Sequence, residues 1–176
     1  MPCHISHSWH DEISKGCSIP FVHIGECFVK ELMEAKLKPL EARSPLQIGV
    51  LASQATLTAV IYQEKLQNEG FEVVLPDKAT MEHAVIPAIE ALNRKDKQKG
   101  HRGGTNVNLS HTSRPKHNQI ALLVLLARAV NSVILASNDM RDLLPLDDPL
   151  LKKCIYPMDA LARSTISWAL SAKNGT

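Results

Sequence analysis

The chain has 176 residues, 44% of them hydrophobic, enough for one ordinary core or two small lobes. Lys and Arg total 20 against 18 Asp and Glu, and a net charge of +2 gives no general attraction to nucleic acid or to an anionic membrane. The longest strongly apolar stretch, residues 120–130, contains Arg128 and falls short of the roughly 20 residues a membrane-spanning helix needs. Composition therefore points to a soluble protein with a small-metabolite partner.

The N-terminal Met-Pro-Cys-His lacks the basic and apolar regions of a secretory signal. Cys3, Cys17, Cys27 and Cys154 are scattered without paired spacing, the pattern of free thiols in a reducing compartment, so a cytoplasmic location is expected. Taken in order, residues 19–23 form a short strand candidate, and residues 24–37 place Val29, Leu32, Met33 and Leu37 on one helical stripe. Residues 47–51 read as a strand, and the run from Thr56 to Glu69 as an amphipathic helix stopped by Gly70. Phe71 to Leu75 form a second strand closed by Pro76-Asp77, and Met81, Ala84, Val85, Ala88, Ile89 and Leu92 mark a second helix that Pro87 is placed to kink.

Residues 94–118 differ in kind, with seven Lys or Arg, three His and one acid. Almost nothing there can be buried. Without interleaved aromatics or a folded nucleic-acid motif, this basic stretch reads as a solvated, disordered insertion rather than a phosphate-binding surface. After it come an apolar helix over residues 120–130, a strand at 132–135 and a helical turn over 139–144. Residues 158–172 read as an amphipathic helix with Leu161, Ala162, Thr165, Trp168 and Ala169 on its stripe. Strands alternating with helices imply an α/β fold: a parallel sheet with helices on both faces.

Chemistry is concentrated near the N-terminus. Cys3 stands just ahead of a helical segment, where unpaired backbone N–H groups favour a thiolate. His4, His7 and His10 share part of a helix face, but no second ligand pair completes a zinc spacing, so no metal is expected and the histidines read as a solvated first turn.

Pro2-Cys3-His4-Ile5-Ser6-His7, with Ile19-Pro20-Phe21-Val22-His23-Ile24 downstream, resembles the first active-site segment of the aspartate/glutamate racemases, Pro-Cys-Asn-Thr-Ala-His and Ile-Pro-Phe-Leu-His-Ile. Gly49-Val-Leu-Ala-Ser-Gln-Ala-Thr56 with Tyr62 is similar to that family's Gly-Leu-Leu-Ala-Thr-x-Gly-Thr and Tyr. Pro76-Asp77 matches its Pro-Asp, and Val133-Ile-Leu-Ala-Ser-Asn-Asp139 falls where it has Val-Ile-Leu-Gly-Cys-Thr-Glu. Four ordered matches span nearly the whole chain.

The resemblance implies two α/β lobes around a cleft, with one cysteine from each lobe. One thiolate removes the α-proton of an amino acid and a thiol on the opposite face returns one, without a cofactor. Cys3 matches the first cysteine, while Ser137 stands in place of the second. A hydroxyl is less acidic than a thiol by roughly five or more pK units, about 7 kcal/mol against forming the anion. His4 and Ile5 replace Asn and Thr beside Cys3. Ser53 keeps a hydroxyl, Thr56 is retained, and Asn138 and Asp139 stand for Thr and Glu. The resemblance thus assigns Cys3 and Ser137 to catalysis, and His4, Ser53, Thr56, Asn138 and Asp139 to substrate binding.

The resemblance further implies one complete lobe at residues 45–145, carrying the 94–118 insertion. Residues 1–44 would be the remnant of a first lobe shortened at its N-terminus, and residues 146–176 a helix returning to it. Two functions follow as alternatives: an amino-acid racemase, possible impairment included, or a non-catalytic paralogue pairing as a homodimer or as a heterodimer with a full-length relative.

Overall fold

The structure, a computed structural model, describes residues 3–34, 46–90, 122, 124–126, 128, 130–140, 144 and 147–174. The basic stretch at 94–118 lies outside the described residues, as do residues 120, 121, 123, 127 and 129 of the expected helix after it.

Among the described residues four strands form one sheet: β1 (Gln47–Ala52), β2 (Glu72–Val74), β3 (Ser132–Ala136) and β4 (Cys154–Ile155). Their spatial order is β2-β1-β3-β4, and all three pairings are parallel. The two central strands read as continuous apolar runs because both faces are covered. Along β1, Ile48, Val50 and Ala52 enter one core cluster and Leu51 the other; along β3, Ile134 and Ala136 enter the first, Val133 and Leu135 the second. This is the period-2 alternation of a strand buried on both sides. Gly49 faces the second cluster, where an added Cβ would meet Leu125 Cδ1 at 3.2 Å and Val133 Cγ2 at 3.3 Å.

The first face is covered by helices from both ends of the described chain. A short helix α1 (His10–Lys15) leads to α2 (Ile24–Glu34), whose Ile24, Phe28 and Leu32 are buried against the sheet. Following β1 come α3 (Gln54–Thr58) and α4 (Gln63–Asn68), and Leu66 of α4 joins the same cluster. Gly70 then reverses the chain at φ 83°, the left-handed conformation anticipated for a helix stop. The second face is covered by α5 (Lys78–Thr80), which widens into a π turn (Met81–Val85) before helical backbone resumes. That widening lies just upstream of Pro87, which lacks an N–H for the regular ladder. Asp77 caps α5 by accepting the Thr80 N–H at 2.7 Å and also pairs with Arg128, a structural role for the Pro-Asp pair.

The C-terminal helix α6 (Pro157–Asn174) packs its first turns on the sheet through Ala160 and Leu161. Arg163 of α6 donates to Glu31 of α2 through Nε at 2.6 Å and Nη2 at 2.7 Å. The expected apolar stripe is only partly inward: Trp168 is 47% exposed, and Ile166 and Leu170 are exposed beside it. Among the described residues no helix is long and apolar enough to cross a membrane.

Candidate active site

In a parallel sheet, ligands bind beyond the carboxyl ends of the strands, where neighbouring connections diverge to opposite sides. Here that point lies between β1 and β3: the chain leaves β1 for β2 on one side and reaches β3 on the other. Ala52 and Ala136 are register partners at the strand ends, so Ser53 and Ser137 are the first residues beyond them.

Ser53 caps α3. Its Oγ accepts the Thr56 N–H at 3.3 Å and lies 3.0 Å from Thr56 Oγ1, so these two site residues form one hydroxyl pair at the mouth of β1. The Ser137 carbonyl accepts the Met140 N–H at 3.1 Å, starting the 3₁₀ turn Asn138–Met140. The Asp139 backbone lies within that turn.

Cys3 is exposed and leads into a 3₁₀ turn (Ile5–Trp9), with its carbonyl accepting the Ser6 hydroxyl at 2.7 Å. The histidines that follow correct the expectation of a solvated first turn. His4 is 6% exposed and His7 1%. His4 Nδ1 lies 2.5 Å from Tyr62 Oη, joining the N-terminal segment to the turn between α3 and α4. Burial lowers the His4 pKa, and the neighbouring Asn138 side chain works against that lowering, while His4 Nε2 has no hydrogen-bond partner among the described residues. Burial also pushes the Tyr62 phenol far above its usual range. His4, Tyr62 and Asn138 therefore converge from three segments of the chain.

A second imidazole group anchors this segment. His7 Nδ1 accepts the Ile24 N–H at 3.3 Å and His23 Nδ1 accepts the Gly25 N–H at 3.1 Å, so two rings satisfy the first donors of α2. His10 Nε2 donates to the Phe21 carbonyl at 2.9 Å, and its Nδ1 lies 3.0 Å from Asp11. Among the described residues no three His, Cys, Asp or Glu side chains are placed to hold a metal ion. The sequence reading missed His7 and His23 as helix caps and Tyr62 as the partner of His4. The position of His23 immediately ahead of the apolar stripe over 24–37 was the available signal for the local cap, and none exists for a pair 58 positions apart.

Comparison with known proteins assigns the chain to a family. A model of the family Asp/Glu/Hydantoin racemase matches residues 1–165. The broad specificity amino-acid racemase RacX of Bacillus subtilis is 31% identical over 77 residues, covering 44% of this chain and 30% of that protein. The solved aspartate racemase of Picrophilus torridus shares the fold at 18% identity and a TM-score of 0.61, over 96% of this chain and 60% of that one. The chain thus spans less than two thirds of the length of these relatives. With a family match running through the cysteine segment, both strand-end turns and the first half of the C-terminal helix, the chain belongs to the Asp/Glu/hydantoin racemase family.

Proposed function

We propose that the chain performs proton transfer at Cα of a small amino acid, as a cofactor-independent racemase in which Cys3 is the acid/base. Its thiolate takes the α-proton, leaving a carbanion whose charge spreads into the carboxylate, and a proton returns to the opposite face of the carbon from water relayed by Ser137. Hydroxyls of Ser53 and Thr56, the carboxamide of Asn138, and Asp139 hold the substrate. The observation that carries the reading is the family match through the Cys3 segment. Convergence of His4, Tyr62 and Asn138 beside it supports the same reading.

The test is deuterium incorporation at Cα of aspartate, glutamate and other amino acids in D₂O, with Cys3→Ala beside the wild type. Exchange dependent on Cys3 supports the reading, and its absence from folded protein overturns it. The exposed Ile166, Trp168 and Leu170 favour a second reading, association through the distal half of α6 with a second copy or a full-length relative. Light scattering after size exclusion tests that reading, and a monodisperse monomer refutes self-association.

A further inference from the structure

Cys3 is exposed, and its carbonyl contact is local, accepting the Ser6 hydroxyl at 2.7 Å. One residue on, His4 is 6% exposed, and its Nδ1 lies 2.5 Å from Tyr62 Oη, which ties the segment to the connection leaving β1. Neighbouring Cα atoms are only about 3.8 Å apart, so pinning the His4 ring confines Cys3 beside it.

The direction of the His4–Tyr62 bond follows from counting hydrogens. Tyr62 is 1% exposed, and among the described residues His4 is the partner of its hydroxyl. If the phenol donates, Nδ1 accepts and the neutral ring carries its hydrogen on Nε2, so Nε2 alone of these atoms is left without a partner. If Nδ1–H donates instead, the phenol hydrogen and the Nε2 lone pair are both left unmet. A buried polar group without a partner is costly, and the first arrangement has the fewer.

Tyr62 is itself a fixed post. Its ring meets Phe28 of α2 edge-on, with centroids 6.2 Å apart, and its carbonyl accepts the Leu66 N–H of α4 at 3.0 Å. Helix α2 lies so close to the preceding residue that a Cβ on Gly25 would come 3.1 Å from the Ile61 carbonyl oxygen. The same connection begins with the hydroxyl pair of Ser53 and Thr56. One run of chain, residues 53–62, therefore carries both the hydroxyls proposed to hold substrate and the anchor of the thiol segment. We propose that Tyr62 is a positioning residue for Cys3: by donating to His4 Nδ1, it sets where the thiol stands relative to a substrate held by Ser53 and Thr56. This rests on the reading of Cys3 as the acid/base. The phenol acts through the imidazole and takes no part in the proton transfer itself.

Two measurements test the anchor without substrate. Side-chain ¹⁵N NMR of His4 in the wild type is expected to show the Nε2–H tautomer with Nδ1 accepting; an Nδ1–H tautomer overturns donation by Tyr62. Amide hydrogen exchange then compares the wild type with Tyr62→Phe, which removes only the hydroxyl. The His7 N–H, bonded to the His4 carbonyl at 3.2 Å, is expected to lose about tenfold or more in protection while the β1 amides keep theirs. Equal protection of His7 in the two proteins overturns the anchor, and so does an equal loss throughout β1, which would make Tyr62 a support of the whole fold. The third measurement uses the amino acid whose Cα the wild type exchanges fastest in D₂O. Tyr62→Phe is expected to lower kcat by about tenfold or more and to leave KM within about twofold, because the hydroxyl pair stays in place. An unchanged kcat, or a change confined to KM, overturns the positioning role. A wild type without Cα exchange overturns the proposed function and the positioning role with it, while the tautomer and the His7 protection still report whether the anchor exists, so the two failures are distinguishable.

Discussion

Ala52 and Ala136 are register partners on adjacent parallel strands, which sends Ser53 and Ser137 out of the sheet at one edge. One carries an N-cap and a hydroxyl pair with Thr56; the other begins the turn bearing Asn138. The side chain after β3 is therefore where the proposed mechanism would be changed by a second thiol. Ser137→Cys is expected to raise the rate of Cα deuterium exchange on the order of tenfold or more, because a thiol is a far better proton donor and acceptor than a hydroxyl. The measurement is exchange at Cα in D₂O for both proteins. An unchanged rate would remove Ser137 from the proton path.

The histidines give the fold a pH profile whose sign can be worked out. His4 and His23 have pKa values lowered from 6.5, each chiefly by burial, with the Lys65 charge adding to the effect at His23. Such groups contribute stability that is complete above 6.5 and is lost as pH falls through their folded values. At His23 the loss has a structural cause, since protonation of Nδ1 removes the acceptor for the Gly25 N–H at the start of α2. Glu26, also nearby, opposes part of this shift.

His10 has the opposite sign. Burial lowers its pKa, but Asp11, the Phe21 carbonyl and Glu26 together hold it above 6.5, so its contribution is present below that value and fades as pH rises through the folded one. Urea denaturation at intervals between about pH 5 and 8 is expected to give a midpoint that declines toward acid. His23→Asn keeps an N-capping acceptor without a titrating ring and is expected to flatten the acid decline. An unaltered slope in this variant would separate the decline from His23.

The sheet was legible in the sequence because β1 and β3 are buried on both faces and therefore appear as unbroken apolar runs. Gly70 was legible because a helix stop needs a positive φ, and glycine supplies it. The inward face of α6 was not. Periodicity marks a stripe along a helix, but the sheet covers only its first turns, so Leu161 is buried and Trp168 is exposed. The site divides in the same way. Ser53 and Thr56 were singled out by resemblance alone, although their cap is a local contact, whereas the contact of His4 with Tyr62 joins distant segments through tertiary packing. A lone polar residue gives no sign of what it will meet across the fold.

Gly25 is fixed by lack of space. A Cβ there would lie 3.0 Å from His23 Cε1 and 3.1 Å from the Ile61 carbonyl oxygen. The second neighbour is backbone, and it immediately precedes Tyr62. Gly25→Ala is therefore expected to destabilise the fold by about 1–3 kcal/mol, despite the better helix propensity of alanine. Denaturant unfolding measures this directly, and a stabilised variant would show that the turn before Tyr62 yields without loss.

Val60 sits in that same turn at φ 54°, a left-handed conformation that a β-branched side chain rarely adopts. It is 37% exposed, so its packing does not explain its presence there. The turn carries Tyr62 into the core two residues later, and strain at such a position is held in place by the structure around it. Two substitutions separate strain from packing. Val60→Ala removes the branch but keeps the Cβ that clashes, whereas Val60→Gly removes both. In ordinary helical or extended backbone glycine is the less stable of the two; in the left-handed region the order reverses. Val60→Gly is expected to exceed Val60→Ala by about 1 kcal/mol in unfolding free energy. If alanine proves the more stable, Val60 does not hold a positive φ in solution, and the strained turn leading to Tyr62 is refuted.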